Sequence, residues 1–199
     1  RRQRQMCIRD RCLTPPMGWS SWYSYSGGVS QENILKTARL LVSSGLAQYG
    51  YRYVNIDDCW QGARGGKYRA IQPNKRFPDM KSMCREIHSL GLKAGIYSTP
   101  WMGTYAGYMG GTSPNPQGDY SSLALPENKR PQPDQLFGGC PGSQRLGAAK
   151  IGPVWMVTQD ARQWAEWGFD YVKMDWYLID VPSTCLLYTS PSPRDMRRS

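Results

Sequence analysis

Asp175 stands where an apolar run ends, in YVKMDWY (171–177), with Lys173 two residues before it. On an extended strand, residues two apart share a face. The ammonium would then lie beside the carboxylate and favour its charged form. A fixed, ionised carboxylate is what nucleophilic attack on a sugar carbon requires. The plainer alternative is a strand-end Asp that caps the next helix. A second acidic site is Asp57-Asp58, which closes the run YVNI (53–56) and precedes Cys59 and Trp60. Neighbours on a strand point to opposite sides, so both carboxylates meet one ligand only where the strand is ending. Such a pair can accept hydrogen bonds from vicinal sugar hydroxyls or hold a divalent cation. A helix cap or a salt bridge would use the same residues. Trp19, Trp22, Trp60, Trp101 and Trp176 fall at or just after the ends of apolar runs. Their faces suit the apolar side of a sugar ring, and equally the bulk of a core. Trp155, Trp164 and Trp167 read as helix-packing residues. His88 follows Cys84 by four residues on a helical stretch. That is metal-ligand spacing, but no second pair supports it, and a structural role is expected. A Cys59–Cys140 disulfide needs Cα atoms within about 7 Å, which spacing alone does not decide.

These residues need elements to hold them. Three stretches repeat one pattern: an amphipathic helix, a glycine, then a short apolar strand. In 32–60 the stripe is Ile34, Leu35, Ala38, Leu41 and Val42, the stop is Gly50, and the strand is 51–56. In 80–98 the stripe is Met83, Cys84, Ile87 and Leu90, followed by Gly91 and a strand at 92–97. In 160–176 it is Ala161, Trp164, Ala165 and Trp167, followed by Gly168 and a strand at 169–174. A further strand is expected around 17–22. Strands alternating with helices through short glycine turns predict βαβ units and a parallel sheet. The polar residues gather just after the strands, at Trp22, Asp57/Asp58, Tyr97/Ser98 and Asp175. Both an open α/β sheet and a (β/α)8 barrel carry their sites there. No GxGxxG or Walker A string occurs, which weakens a nucleotide-binding reading. A (β/α)8 TIM barrel takes about 250 residues, so four strands within 13–183 amount to half of one. The span 99–156, rich in Gly and Pro, reads as a long loop after the third strand, over the site.

The chain has 199 residues, 25 Lys+Arg against 15 Asp+Glu, and a formal net charge of +10. Such an excess points to nucleic acid or an anionic surface, but it is concentrated at the ends. Residues 1–12 hold five Arg and one Asp, and residues 184–199 hold three Arg and one Asp. The middle nets only +4. Neither end has helical or strand periodicity, and no apolar signal-peptide segment follows the first arginines. The strings MCIRDR and LLYTSPSPRD resemble translated sequencing-adapter sequence. Residues 1–12 and 184–199 are therefore expected to be non-native ends, with 13–183 as the folded part. Three of the six cysteines lie in those ends, leaving Cys59, Cys84 and Cys140. Arg-plus-aromatic nucleic-acid motifs are missing from the middle, so no nucleic-acid partner is expected. No run of about 18 apolar residues occurs, so no membrane-spanning helix is expected.

Six strings occur in order: TPPMGWSSW (14–22), YVNIDDCW (53–60), RFP (76–78), IHSLGLKAGIYS (87–98), CPGS (140–143) and DARQWAEWGFDYVKMD (160–175). Together they resemble the retaining α-galactosidases of the melibiase type, glycoside hydrolase family 27, over about 14–181. The resemblance implies a (β/α)8 barrel followed by an antiparallel β-domain, an α-galactoside substrate, and no metal or organic cofactor. It implies that Asp175 is the catalytic nucleophile and that Lys173, Asp57 and Asp58 bind sugar hydroxyls. It makes Trp22 the aromatic wall of the pocket and Tyr97 a further pocket residue. The family's acid/base Asp lies beyond the fourth strand. It is expected to be absent from this chain, and the 199 residues alone are expected to be inactive. Two features depart from the pattern. Many relatives carry, two residues after the nucleophile, a Cys bonded to the CPGS cysteine; here Tyr177 stands in that place. The segment 99–156 is longer than in animal and plant enzymes and is closer to the bacterial branch. Related sugar preferences (α-N-acetylgalactosaminidase, β-L-arabinopyranosidase, isomalto-type) and a non-catalytic sugar-binding barrel are the alternatives. A secreted or periplasmic location is what the resemblance suggests.

Overall fold

The computed structural model describes residues 16–104, 106–117 and 156–174. The chain divides into two units, Met17–Tyr177 and a second made of Arg1–Pro16 with Leu178–Ser199. Apart from Pro16, the second unit lies outside the described residues. In chain order the elements are β1 (Gly18–Ser20), α1 (Gln31–Ser43), β2 (Tyr53–Ile56), β3 (Gln61–Gly65), β4 (Ala70–Pro73), α2 (Met80–Ser89), β5 (Lys93–Ser98), α3 (Val157–Trp167) and β6 (Tyr171–Met174). A single helical turn, Trp22–Tyr25, follows β1. The strands β1, β2, β5 and β6 form one parallel sheet in that order. This is the alternation that the repeated helix–glycine–strand pattern predicts.

Two helix starts and one helix end have a clear local cause. The Ser30 side chain accepts from Asn33 N–H at the start of α1, and Asp79 does the same for Ser82 N–H at the start of α2. Such caps satisfy amides that have no partner within the helix. The end of α3 falls on Gly168, whose φ of +99° is the left-handed conformation that side chains other than Gly rarely adopt. The first helix departs from the sequence reading. It ends at Ser43 before Gly45, and Gly50 instead closes a separate 3-10 turn, Leu46–Tyr49.

The sheet has two unlike faces. Val54, Ile56, Ala94 and Ile96 pack with Ile34, Ala38 and Leu41 of α1, with Met80, Met83, Cys84 and Ile87 of α2, and with Trp164 of α3. All of these are buried, and each fully buried large aliphatic side chain contributes about 1.5–3 kcal/mol. Two of the expected stripes need correction. Val42 is exposed while Leu41 is buried. On α3 the buried residues are Asp160, Gln163 and Trp164, and Ala165 is exposed. The polar side of that helix faces inward because Asp160 is ion-paired with Arg64.

The other face holds Asn55, Gly95 and Tyr171 at one level, with Tyr97 and Lys173 at the next. Close packing is built into this face. A Cβ on Gly95 would collide with Asn55 Oδ1 and come within 3.1 Å of a Tyr171 ring carbon. Tyr53 and Tyr171 meet edge to face, with ring centroids 5.8 Å apart.

The hairpin β3–β4 is absent from the sequence reading. It follows β2 and carries Arg64 into the interior. The segment after β5 is folded as far as it is described. Thr99 Oγ1 donates to Gly103 O, Gly103 and Met109 form an antiparallel bridge, and Met156 N–H donates to Gly111 O. No helix among the described residues is long and apolar enough to cross a membrane.

Candidate active site

The carboxyl ends of the four parallel strands bring together residues far apart in the chain. Because Asn55 lies opposite Gly95, the position two beyond it, Asp57, falls level with Tyr97 and Lys173. Lys173 Nζ donates to Asp57 Oδ2 at 2.8 Å across 116 residues of sequence. Ser20 Oγ, at the end of β1, donates to the same oxygen at 2.8 Å. The ammonium also stands over the Tyr97 ring, 5.2 Å from its centroid. Asp57 itself is fixed by its backbone, whose N–H donates to Ser21 Oγ at 2.9 Å. The adjacent serines of MGWSSW thus hold both ends of Asp57, a role the sequence reading missed.

Asp58 is held differently. Its Oδ1 accepts from Cys59 N–H at 2.7 Å, and its Oδ2 accepts from Ala106 N–H at 2.9 Å. The Thr104 hydroxyl adds a further bond. Asp58 N–H donates to Asp57 Oδ1 at 2.9 Å, which links the pair. The regular strand ends at Ile56, and Cys59 takes a positive φ of 78°. This is the strand ending that the Asp57-Asp58 pair needs if both are to serve one site.

Burial pushes the Asp58 carboxyl up from its ordinary 3.8 to about 6. The Ala106, Thr104 and Cys59 hydrogen bonds oppose that rise, and the Asp57 charge adds to it. Between about pH 4 and 6 the folded form binds a proton that the unfolded form has released, so stability falls as pH rises through that window. The full effect is roughly 3 kcal/mol. Denaturant unfolding of the 199-residue chain should show this loss between pH 4 and 7, and Asp58→Asn should flatten it. Equal pH slopes in the two proteins would remove Asp58 as the cause.

The remaining candidates separate into core and site. Trp60 is fully buried and its Nε1–H donates to Tyr97 O at 2.9 Å. Trp101 is also buried. Tyr97 is buried to the same degree, at 1% exposed, so burial alone does not separate these rings; Tyr97 differs in having the Lys173 ammonium over its face. Trp22 is half-buried on the turn after β1 and packs against the hydrophobic cluster. His88 Nε2 lies 2.8 Å from Asp170 Oδ2, an oxygen that also accepts from Ala94 N–H. This ties α2 to the start of β6, the structural role expected of it. Cys59 and Cys84 are free buried thiols, each pushed up to about 12, chiefly by burial. Among the described residues no three His, Cys, Asp or Glu side chains gather as a metal site. Asp175, Trp176, Tyr177, Cys140 and Trp155 lie outside the described residues.

A buried carboxylate, a cation, a hydroxyl and an aromatic ring at strand ends form a cluster suited to the hydroxyls and ring face of a sugar. A family model described as alpha galactosidase A matches residues 14–121, more than half of the chain. The chain belongs to that family. It is 36% identical over 165 residues to alpha-galactosidase A of Cellvibrio japonicus, covering 82% of this chain and 30% of that protein. It is 39% identical over 164 residues to an alpha-galactosidase of Oryza sativa subsp. japonica, covering 81% and 30%. The crystal structure of alpha-galactosidase I from Mortierella vinacea superimposes with a TM-score of 0.57 at 29% identity, covering 85% of this chain and 32% of that one. The chain spans about a third of the length of the curated relatives it matches.

Proposed function

We propose that this chain is the first half of the (β/α)8 catalytic barrel of a retaining glycoside hydrolase that removes terminal α-D-galactosyl residues. The observation that carries the reading is the Asp57–Lys173–Ser20 cluster beside Tyr97 at the carboxyl ends of four parallel strands, in a chain of the alpha-galactosidase A family. Catalytic groups of such barrels project from that end. An alfa-galactosidase from Saccharomyces cerevisiae is known in a structure with raffinose, a precedent for a relative that takes an oligosaccharide.

In this reading Asp57 and Asp58 accept hydrogen bonds from galactose hydroxyls, and Lys173 donates to one while neutralising Asp57. Trp22 and Tyr97 line the ring. A carboxylate oxygen of Asp175 attacks the anomeric carbon as the glycosidic C–O bond breaks. A second carboxyl, about 5–5.5 Å away in retaining enzymes, gives its proton to the leaving oxygen. Water then attacks the glycosyl ester, that same carboxylate takes the proton, and Asp175 is released with the anomeric configuration retained.

The second carboxyl belongs to the later strands of the barrel. The 199 residues alone should therefore give no hydrolysis of p-nitrophenyl α-D-galactoside, while the complete enzyme hydrolyses it. Proton NMR of the first-formed sugar should find the α anomer. First release of the β anomer, or a complete enzyme inert to α-galactosides, would overturn the reading.

A further inference from the structure

Arg64 is a buried, fully bonded side chain that lies outside the sugar cluster. Its side chain is 2% exposed and that of its partner Asp160 is 0% exposed. Nη1 and Nη2 donate to the two carboxylate oxygens of Asp160, at 2.6 and 3.0 Å. Nε donates to Ser113 O at 2.5 Å, Nη2 also to Gly110 O at 3.1 Å, and Nη1 also to Arg69 O at 3.3 Å. All five guanidinium N–H groups are thereby used. Asp160 accepts in addition from Ile71 N–H. One guanidinium therefore joins the β3–β4 hairpin, helix α3 and the base of the loop after β5.

A buried ion pair of this kind adds little stability over apolar residues of the same volume. What it supplies is direction, because the planar fork fixes several oxygens at once. The loop it grips continues to the site. Gly103 and Met109 bridge, Thr104 N–H donates to Tyr108 O, and Gly107 N–H donates to Thr104 O. At the tip of this small hairpin, Ala106 N–H and Thr104 hold the Asp58 carboxylate. Two further bonds stiffen the path from base to tip: Gly110 N–H to Met102 O, and Gly111 N–H to Thr99 O.

We propose that Arg64 is a positioning residue for sugar binding: by locking Gly110 and Ser113, it holds the Ala106 tip against Asp58 and so fixes that carboxylate for the sugar. This rests on the galactosidase reading for its kinetic consequence, but the coupling from Arg64 to Ala106 does not.

The test uses Arg64→Lys, which keeps the charge and loses the fork, together with the double variant Arg64→Met/Asp160→Met. The double variant removes the buried charges as a pair and guards against simple misfolding. In the complete enzyme, both should raise KM and the galactose inhibition constant together by about tenfold, with kcat changed less than threefold, as lost uniform binding requires. Hydrogen exchange should lose protection at Ala106 N–H in both. Unchanged KM, galactose inhibition and Ala106 protection in a folded variant would overturn the proposal, as would a fall in kcat with KM unaltered. If the unmodified enzyme does not hydrolyse α-galactosides, the functional reading fails, and exchange at Ala106 still decides the coupling.

Discussion

Asp175→Asn in the complete enzyme should lower kcat on p-nitrophenyl α-D-galactoside by at least about 10⁴-fold, the scale of removing a covalent nucleophile. The amide has the shape of the carboxylate but no nucleophilic oxygen, so no glycosyl ester can form. The fold should survive. The residue follows β6, and the Asn side chain fills the same volume. Melting temperature and galactose binding should therefore stay near those of the unmodified enzyme. A variant that keeps kcat within tenfold would take Asp175 out of the role.

The second large effect is expected at Asp57. This carboxylate is only 4% exposed and accepts from both Lys173 and Ser20. The Lys173 and Ser20 bonds to Asp57 exist in the free enzyme, so their loss lowers stability and leaves both groups less well placed. Asp57→Ala also removes a charge-assisted bond to a sugar hydroxyl, worth about 1.5–3 kcal/mol. That loss at the transition state corresponds to a fall in kcat/KM of about 10–10². Asp57→Asn should fall less, because the amide oxygen still accepts one hydrogen bond. Steady-state kinetics on the same substrate measures both variants. A kcat/KM for Asp57→Ala within threefold of the unmodified enzyme would contradict the assignment.

Much of this architecture can be read from local pattern. Three of the four parallel strands are short apolar runs behind a helix and a glycine. The Asp57-Asp58 pair, Tyr97 and Lys173 stand at strand ends, so their gathering follows once the sheet is parallel. The hairpin β3–β4 escaped because QGARGGKYRAIQP has neither alternation nor β-branched residues apart from Ile71. The buried stripe of α3 escaped for a related reason. Asp160, Gln163 and Trp164 have helical spacing, but two of them are polar, and apolarity alone selects the neighbouring alanines instead. Arg64 and Asp160 are 96 residues apart, and nothing in either one's immediate sequence names the other. The same holds for Lys173 and Asp57, 116 residues apart, which meet only because the parallel sheet brings their strand ends together.

In a retaining mechanism run by Asp175, that carboxylate becomes covalently bonded to the sugar. The direct measurement is to incubate the complete enzyme with an activated fluorinated α-galactosyl donor, whose glycosyl-enzyme hydrolyses slowly, and to map the adduct by peptide mass spectrometry. The expected result is one added glycosyl group, carried by Asp175 and absent from the Asp175→Asn variant. A label on Asp57, Asp58 or any other carboxylate would contradict it.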